Sequence, residues 1–206
     1  MPAVTETKPS GSRRADYAAM TRQDILAAAR TLYAERGFFA TKVEDIAAAA
    51  RVAPATVYAA CGGKHGLLHT LLQQWGEAPV IQSTYRRVDT MTDGEAILRA
   101  TAAGTRKVRE QWGDVMRMAL ATAPHDPRVA ESLAQLTDAY RRGFVRTAQR
   151  LAAIHALRDG VSVTAATDIL WFYFGYSSYF TLTDENHWTL AKAEKWLLTQ
   201  ARAALL

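Results

Sequence analysis

Apolar residues recur every three or four positions along nearly the whole chain, and no period-two alternation persists, so the pattern predicts an all-α fold. Ile25, Leu26, Ala29, Leu32 and Tyr33 form one apolar face, and Val43, Ile46, Ala47 and Ala50 a second. A third segment of seven or eight residues lies between Pro54 and the pair Gly62–Gly63, and a fourth runs from Lys64 to Trp75. Thr21 with Asp24, and Thr41 with Glu44, read as capping boxes. Gly37 is placed to end the first helix in the left-handed conformation, and Pro54 fits a first helical turn. A helix as short as the third is unstable alone. Its use is to be held against a neighbour and offered to a DNA groove, which is helix-turn-helix geometry.

Beyond residue 78 the helices lengthen. Asp93 caps one expected to reach about Gln111, and Gly113–Asp114 opens a shorter one through Ala123, ended by Pro124 to Pro127. A long helix is expected over Arg128–His155, closed by Asp159–Gly160, followed by helices over Ser162–Leu182 and Thr189–Leu206.

Three pieces carry a family resemblance: ILAAARTLYAERGFFATKVEDIAAAA, the Thr56-Val57-Tyr58 triplet, and Gly62-Gly63-Lys64 before Leu67–Leu68. Together they resemble the DNA-binding domain of TetR-type transcriptional repressors, over about a quarter of the chain. The resemblance implies a homodimer that binds a palindromic double-stranded operator and is released by a small hydrophobic effector. The start, polar and rich in Pro, Ser, Thr and Gly, reads as a disordered arm (1–20), followed by a helix-turn-helix domain (21–77) and an effector-binding and dimerisation domain (78–206). Thr56 and Tyr58 would place hydroxyls, and Lys64 its ammonium, on phosphates, which set register more than sequence preference. Base reading would fall to Lys42, Val43 and Glu44 and to Pro54, Ala55 and Ala59, with Lys42 able to reach guanine and the alanines only thymine methyls, and Thr41 belongs to the same DNA-binding set. Arg13 and Arg14, with Lys8, would follow phosphates or enter the minor groove. The third helix is poor in polar reach, so operator shape or the arm would supply part of the specificity.

Three residues depart from the family pattern. Arg51 stands where glycine is usual, Ala53 replaces a hydroxyl cap, and Cys61 replaces an aromatic. A left-handed Arg51 would cost about 1–2 kcal/mol, with an added phosphate contact or a tolerated turn residue as its two readings. In proteins of this resemblance the effector pocket lies among the middle helices. Its candidates here are Trp75, Thr101, Thr105, Trp112, Met116, Tyr140, Phe144 and Trp171, with Met118, Leu120 and His155 behind them. The aromatic run Ile169–Phe180 and the apolar face of the last helix exceed what one small domain buries. Paired with their symmetry mates they would make a four-helix bundle, with Trp171, Phe174, Tyr179, Trp196, Leu197 and Ala201 at the dimer interface.

Composition narrows the alternatives. The 206 residues are 49% hydrophobic and 22% charged, enough for a sizeable core. No uncharged apolar run reaches 18 residues, so no membrane span is expected. The first twenty residues have no apolar signal core, and the reading is a cytoplasmic protein. The net charge is +5, and residues 1–75 hold nine Lys/Arg against six Asp/Glu, so the smaller part carries more of the surplus. There is no glycine-rich phosphate loop, nucleophile elbow or HExxH, and the five histidines assemble no triad, so neither an enzyme nor a cofactor is expected. Cys61 is the single cysteine, which excludes an internal disulfide. Cys61, His65 and His69 have nominal metal spacing, but Gly62–Gly63 interrupts it, and ordinary packing is expected. The competing function is a helical protein-interaction module or a redox-sensing regulator using Cys61.

Overall fold

The structure is a computed structural model that describes residues 10–206, with side chains from Arg13 onward. Among the described residues there are ten α-helices, one 3-10 turn, one π turn and no strand. The chain divides into two compact units between Leu71 and Leu72, inside a helix.

The first unit holds α1 (Ser10–Arg36), α2 (Val43–Ala49), α3 (Pro54–Cys61) and the start of α4 (Gly63–Gly76). Ile25, Ala29, Tyr33, Ile46, Val57, Leu67 and Leu68 are buried at its centre. The Tyr33 hydroxyl donates to the Lys64 carbonyl at 3.1 Å, tying α1 to the first turn of α4. Gly37 (φ +80°) ends α1, its N–H donating to Tyr33 O at 3.0 Å. The helix starts earlier than the capping pattern predicts. Residues 10–20, expected within a disordered arm, are helical, and Thr21 lies inside α1 rather than capping it. No proline or glycine stands between residues 12 and 36 to stop propagation. Residues 1–9, with Lys8, lie outside the described residues.

The second unit holds α5 (Pro79–Thr90), α6 (Gly94–Thr122), a 3-10 turn (Ala123–His125), α7 (Pro127–Ala153), α8 (Val163–Phe174), α9 (Tyr176–Phe180), a π turn (Thr181–Glu185) and α10 (Leu190–Leu205). Asp93, Asp126, Ser162 and Thr189 cap α6, α7, α8 and α10 with their side-chain oxygens. Two expectations fail here. α6 runs unbroken through Gly113, because burial of Val115, Met116 and Ala119 on one face outweighs a glycine's helix penalty of about 1 kcal/mol. The helix expected over 162–182 breaks instead at Gly175, whose backbone is extended.

That break sits in the core, and its carbonyls need partners. The buried Arg109 supplies them: Nη2 donates to Phe174 O at 2.9 Å and to Gly175 O at 2.7 Å. Its Nη1 donates to Thr105 O at 3.3 Å and to the Tyr140 hydroxyl at 3.2 Å, and that hydroxyl donates to Phe174 O at 2.6 Å. The guanidinium lies 4.3 Å from the Tyr179 ring centre. Around this knot pack Ile97, Leu98, Phe144, Leu151, Leu170 and Leu205. Phe174, Tyr179, Leu197 and Ala201, expected at a dimer interface, are fully buried in this same core. They close α8, α9 and α10 onto α6 and α7, so none is free to face a second chain. What α8 and α10 do expose is Phe172 (67%) and Trp196 (43%).

Replacing Arg109 with methionine keeps the volume but takes the guanidinium donor from Gly175 O and leaves Phe174 O only the Tyr140 hydroxyl, and a buried carbonyl left unsatisfied costs about 1–3 kcal/mol. A lower urea midpoint for Arg109→Met is therefore expected, and an unchanged or higher one would contradict this account.

Candidate nucleic-acid interface and cavity

α2, the turn Ala50–Ala53 and α3 form a helix-turn-helix. The cap of α2 is one residue later than the Thr41/Glu44 pattern predicts. The Lys42 N–H donates to the Asp45 carboxylate at 3.1 Å, while the Thr41 hydroxyl turns inward to Gly37 O at 2.8 Å and Leu32 O at 3.3 Å. Thr41 and Val43 are buried, so both leave the set expected to touch DNA. Inward bonding closes the α1–α2 loop, and Val43 belongs to the packed stripe of α2.

The turn closes as a Schellman motif, with Val52 N–H on Ala47 O at 2.9 Å and Arg51 N–H on Ala48 O at 3.2 Å. That motif demands a left-handed residue, and Arg51 adopts φ +56°. Pro54 opens α3 in the first turn, and Ala53 gives it no side-chain cap. Val57 and Cys61 form the buried side of α3. Pro54, Ala55, Tyr58 and Ala59 point outward, with Thr56 half-buried, and Lys42, Glu44 and Arg51 are exposed beside them. Gly62 (φ +69°) ends α3. Gly63 (φ +70°) lets the Tyr58 ring pass, since a Cβ there would lie 2.9 Å from Cε1.

Lys64 plays a second part. Its Nζ donates to Phe39 O at 3.4 Å and lies 4.6 Å from the Phe38 ring centre, and burial lowers its pKa. The ammonium thus latches the α1–α2 loop to α4. Arg13 and Arg14 are exposed on helix α1 rather than on an extended arm. Cys61 is buried, and burial pushes its thiol up despite the pull of Arg22, which disfavours a reactive thiolate.

The second unit contains a cavity of about 340 Å³. Six of the eight expected residues line it: Trp75, Thr101, Thr105, Met116, Tyr140 and Phe144. Trp171 does not, because it sits one layer behind, edge-on to Tyr140 at 5.6 Å and Phe144 at 6.3 Å. Trp112 shares the helical phase of Thr101 and Thr105 but does not line the cavity. Trp75, on the last turn of α4, packs edge-on to Tyr176 at 5.9 Å, whose pKa burial pushes up to about 12.

Sequence reasoning missed the wall formed by α5, which contributes Ile81, Thr84 and Tyr85. Pro79 with Ile81, Thr84, Tyr85 and Val88 was its signal. Two glycines bring that wall close. A Cβ on Gly104 would overlap Thr84, and one on Gly143 would overlap the Tyr85 ring and hydroxyl. Among the described residues, no cluster of His, Cys, Asp or Glu has the makings of a metal site, and no helix is long and apolar enough to cross a membrane.

Residues 25–71 match the family model of the bacterial regulatory proteins, tetR family. No curated protein sequence matches the chain. Among solved structures, SmeT in its triclosan complex covers 91% of this chain and 92% of its own, at 20% identity and TM-score 0.74. GusR of Salmonella enterica covers 90% and 95%, at 20% identity and TM-score 0.67. FadR of Bacillus subtilis, in complex with stearoyl-CoA, covers 89% and 99%, at 14% identity and TM-score 0.70. These likenesses show the fold.

Arg51→Gly should relieve the left-handed backbone and raise unfolding free energy by about 1 kcal/mol, read from denaturant midpoints. A loss of stability would mean that the Arg51 side chain holds the turn in some way its exposure does not reveal.

Proposed function

We infer that this chain, which residues 25–71 place among the bacterial regulatory proteins of the tetR family, is a ligand-responsive repressor that binds a palindromic operator as a homodimer. The observation carrying this reading is α3: eight residues, packed by Val57 and Cys61, with Pro54, Ala55, Tyr58 and Ala59 turned outward. Such a helix gains its stability from the neighbours that present it. Tyr58, Thr56 and Arg51 contact phosphates, joined by Arg13 and Arg14 from α1, and Lys64 adds its charge from the latch. Lys42 and Glu44 read base edges, and Pro54, Ala55 and Ala59 make apolar contacts.

Dimerisation uses the outer faces of α8 and α10, where Phe172 and Trp196 are exposed and Trp171 is half-buried. The effector enters the 340 Å³ cavity, and the triclosan and stearoyl-CoA complexes of SmeT and FadR support a small-molecule ligand for this fold. Trp75 lines that cavity on α4, the helix whose first turns belong to the DNA-binding unit, so occupancy can bias the spacing of two recognition helices. The protein works in the cytoplasm and has no enzymatic role.

Gel shifts with the DNA flanking the chain's own gene test the core of this reading. Affinity should fall steeply with salt, and Lys42→Ala should cost about 1–3 kcal/mol and relax preference at one base pair per half-site. Salt-independent binding, or none to any duplex, would refute it. Light scattering should give twice the chain mass, and Phe172→Glu with Trp196→Glu should give a folded monomer. A wild-type monomer at working concentration would remove the dimer.

A further inference from the structure

The arginines of α7 are unequally matched. Arg141 donates to Asp168 at 2.7 Å and lies 5.3 Å from the Trp171 ring centre. Arg146 makes a two-pronged pair with Asp89, and Arg150 donates to Met91 O at 2.8 Å. Arg142, exposed at the cavity wall, has no acceptor among the described residues. Tyr85, across Gly143 from it, also lines the cavity, and its hydroxyl has no acceptor among the described residues. Burial raises the Tyr85 pKa, so that hydroxyl stays protonated and available to donate.

Among the described residues, no Asp or Glu lines the cavity. Asp89, the nearest carboxylate to Tyr85 on α5, is neutralised by Arg146. Behind Thr105 and Tyr140 lies Arg109, a buried cation bonded to carbonyls and a hydroxyl rather than to a carboxylate. Around a partly desolvated space, unbalanced positive charge of this kind favours an anion. Apart from the neutral polar groups of Gln82, Thr84, Thr101, Thr105, Tyr140 and Thr147 and the ion-paired Arg146, the remaining wall is apolar, from Trp75, Ile81, Met116, Leu136 and Phe144. Its 340 Å³ is near the small end of ligand cavities, which run to about 1,000 Å³.

We propose that the cavity takes a compact amphipathic organic acid, its apolar body against Trp75, Ile81 and Phe144 and its carboxylate held by the Arg142 guanidinium and the Tyr85 hydroxyl. The proposal rests on the cavity being the effector site and specifies what enters it. A charge-assisted pair with arginine is about twice as strong as a neutral hydrogen bond, so an acid should be separated from its uncharged isostere.

Calorimetry on the full chain at neutral pH tests this with para-butylbenzoate and its neutral analogue para-butylbenzamide. The acid should bind about tenfold more tightly than the amide. Arg142→Gln should bring the acid to the level of the amide and leave amide affinity unchanged, and Tyr85→Phe should remove a smaller part of the preference. Lys107→Gln, an exposed cation outside the cavity wall, should leave the preference intact. Equal binding of acid and amide to the wild type, or a preference that survives Arg142→Gln, overturns the proposal. If neither compound binds, the proposal fails and the cavity loses its support as an effector site. If the Arg142-dependent preference is present but saturating acid does not release operator DNA, the binding proposal stands and the effector role falls.

Discussion

Arg109 is buried with no carboxylate to balance it among the described residues, and the carbonyls it gathers are those freed where α8 breaks at Gly175. Each half of that arrangement would be unstable alone. A buried guanidinium with too few acceptors is strongly disfavoured, and so is a helix terminus sealed in a core with its carbonyls unmet. Together they satisfy most of each other, and the Tyr140 hydroxyl joins both by accepting from Arg109 and donating to Phe174. The Arg109 Nε and the Tyr179 hydroxyl have no hydrogen-bond partner among the described residues, so the knot is not completely paired. Its position matters because Thr105 and Tyr140 face the cavity on one side and meet Arg109 on the other.

The cavity exists because its walls approach closely in some places and stay apart in others. Gly104 and Gly143 admit Thr84 and Tyr85 of α5, so α5 rests directly on α6 and α7. Large side chains elsewhere, Trp75, Met116 and Phe144 among them, hold the same helices away from one another. Trp171 and Tyr176 back this wall as an aromatic second layer, edge-on to one another at 5.5 Å. The result combines apolar surface with a few hydroxyls and a basic edge, the mixture that suits a small ligand with one polar end.

The helix-turn-helix was legible because its signals are local. Pro54, Gly37 and the Gly62–Gly63 pair each act on the backbone within a few residues, and each appears in the conformation its chemistry dictates. Arg51 shows the same logic in reverse, since the turn forces an unfavourable conformation on it. What failed depended on distant neighbours. The break at Gly175 is stabilised by Arg109, 66 residues away, and no periodicity reports that. Phe174, Tyr179, Leu197 and Ala201 were assigned to a partner chain because their density exceeds one stripe, yet α6 and α7 cover them within the unit. The one-residue shift from Thr41 to Lys42 arose because a threonine beside a helix start can bond forward as a cap or backward to the previous helix.

The fully exposed positions of α3 carry one polar group, the Tyr58 hydroxyl, among Pro54, Ala55 and Ala59, with the half-buried Thr56 beside them. If α3 is the reading head proposed above, a face so sparse in donors and acceptors would distinguish an operator from random duplex by a narrow margin. Each unrecognised base pair forfeits discrimination worth about 1–3 kcal/mol, while a genome offers a vast excess of competing sites. Occupancy would then depend on how many copies a cell keeps, which makes the expression level of such a protein part of its selectivity.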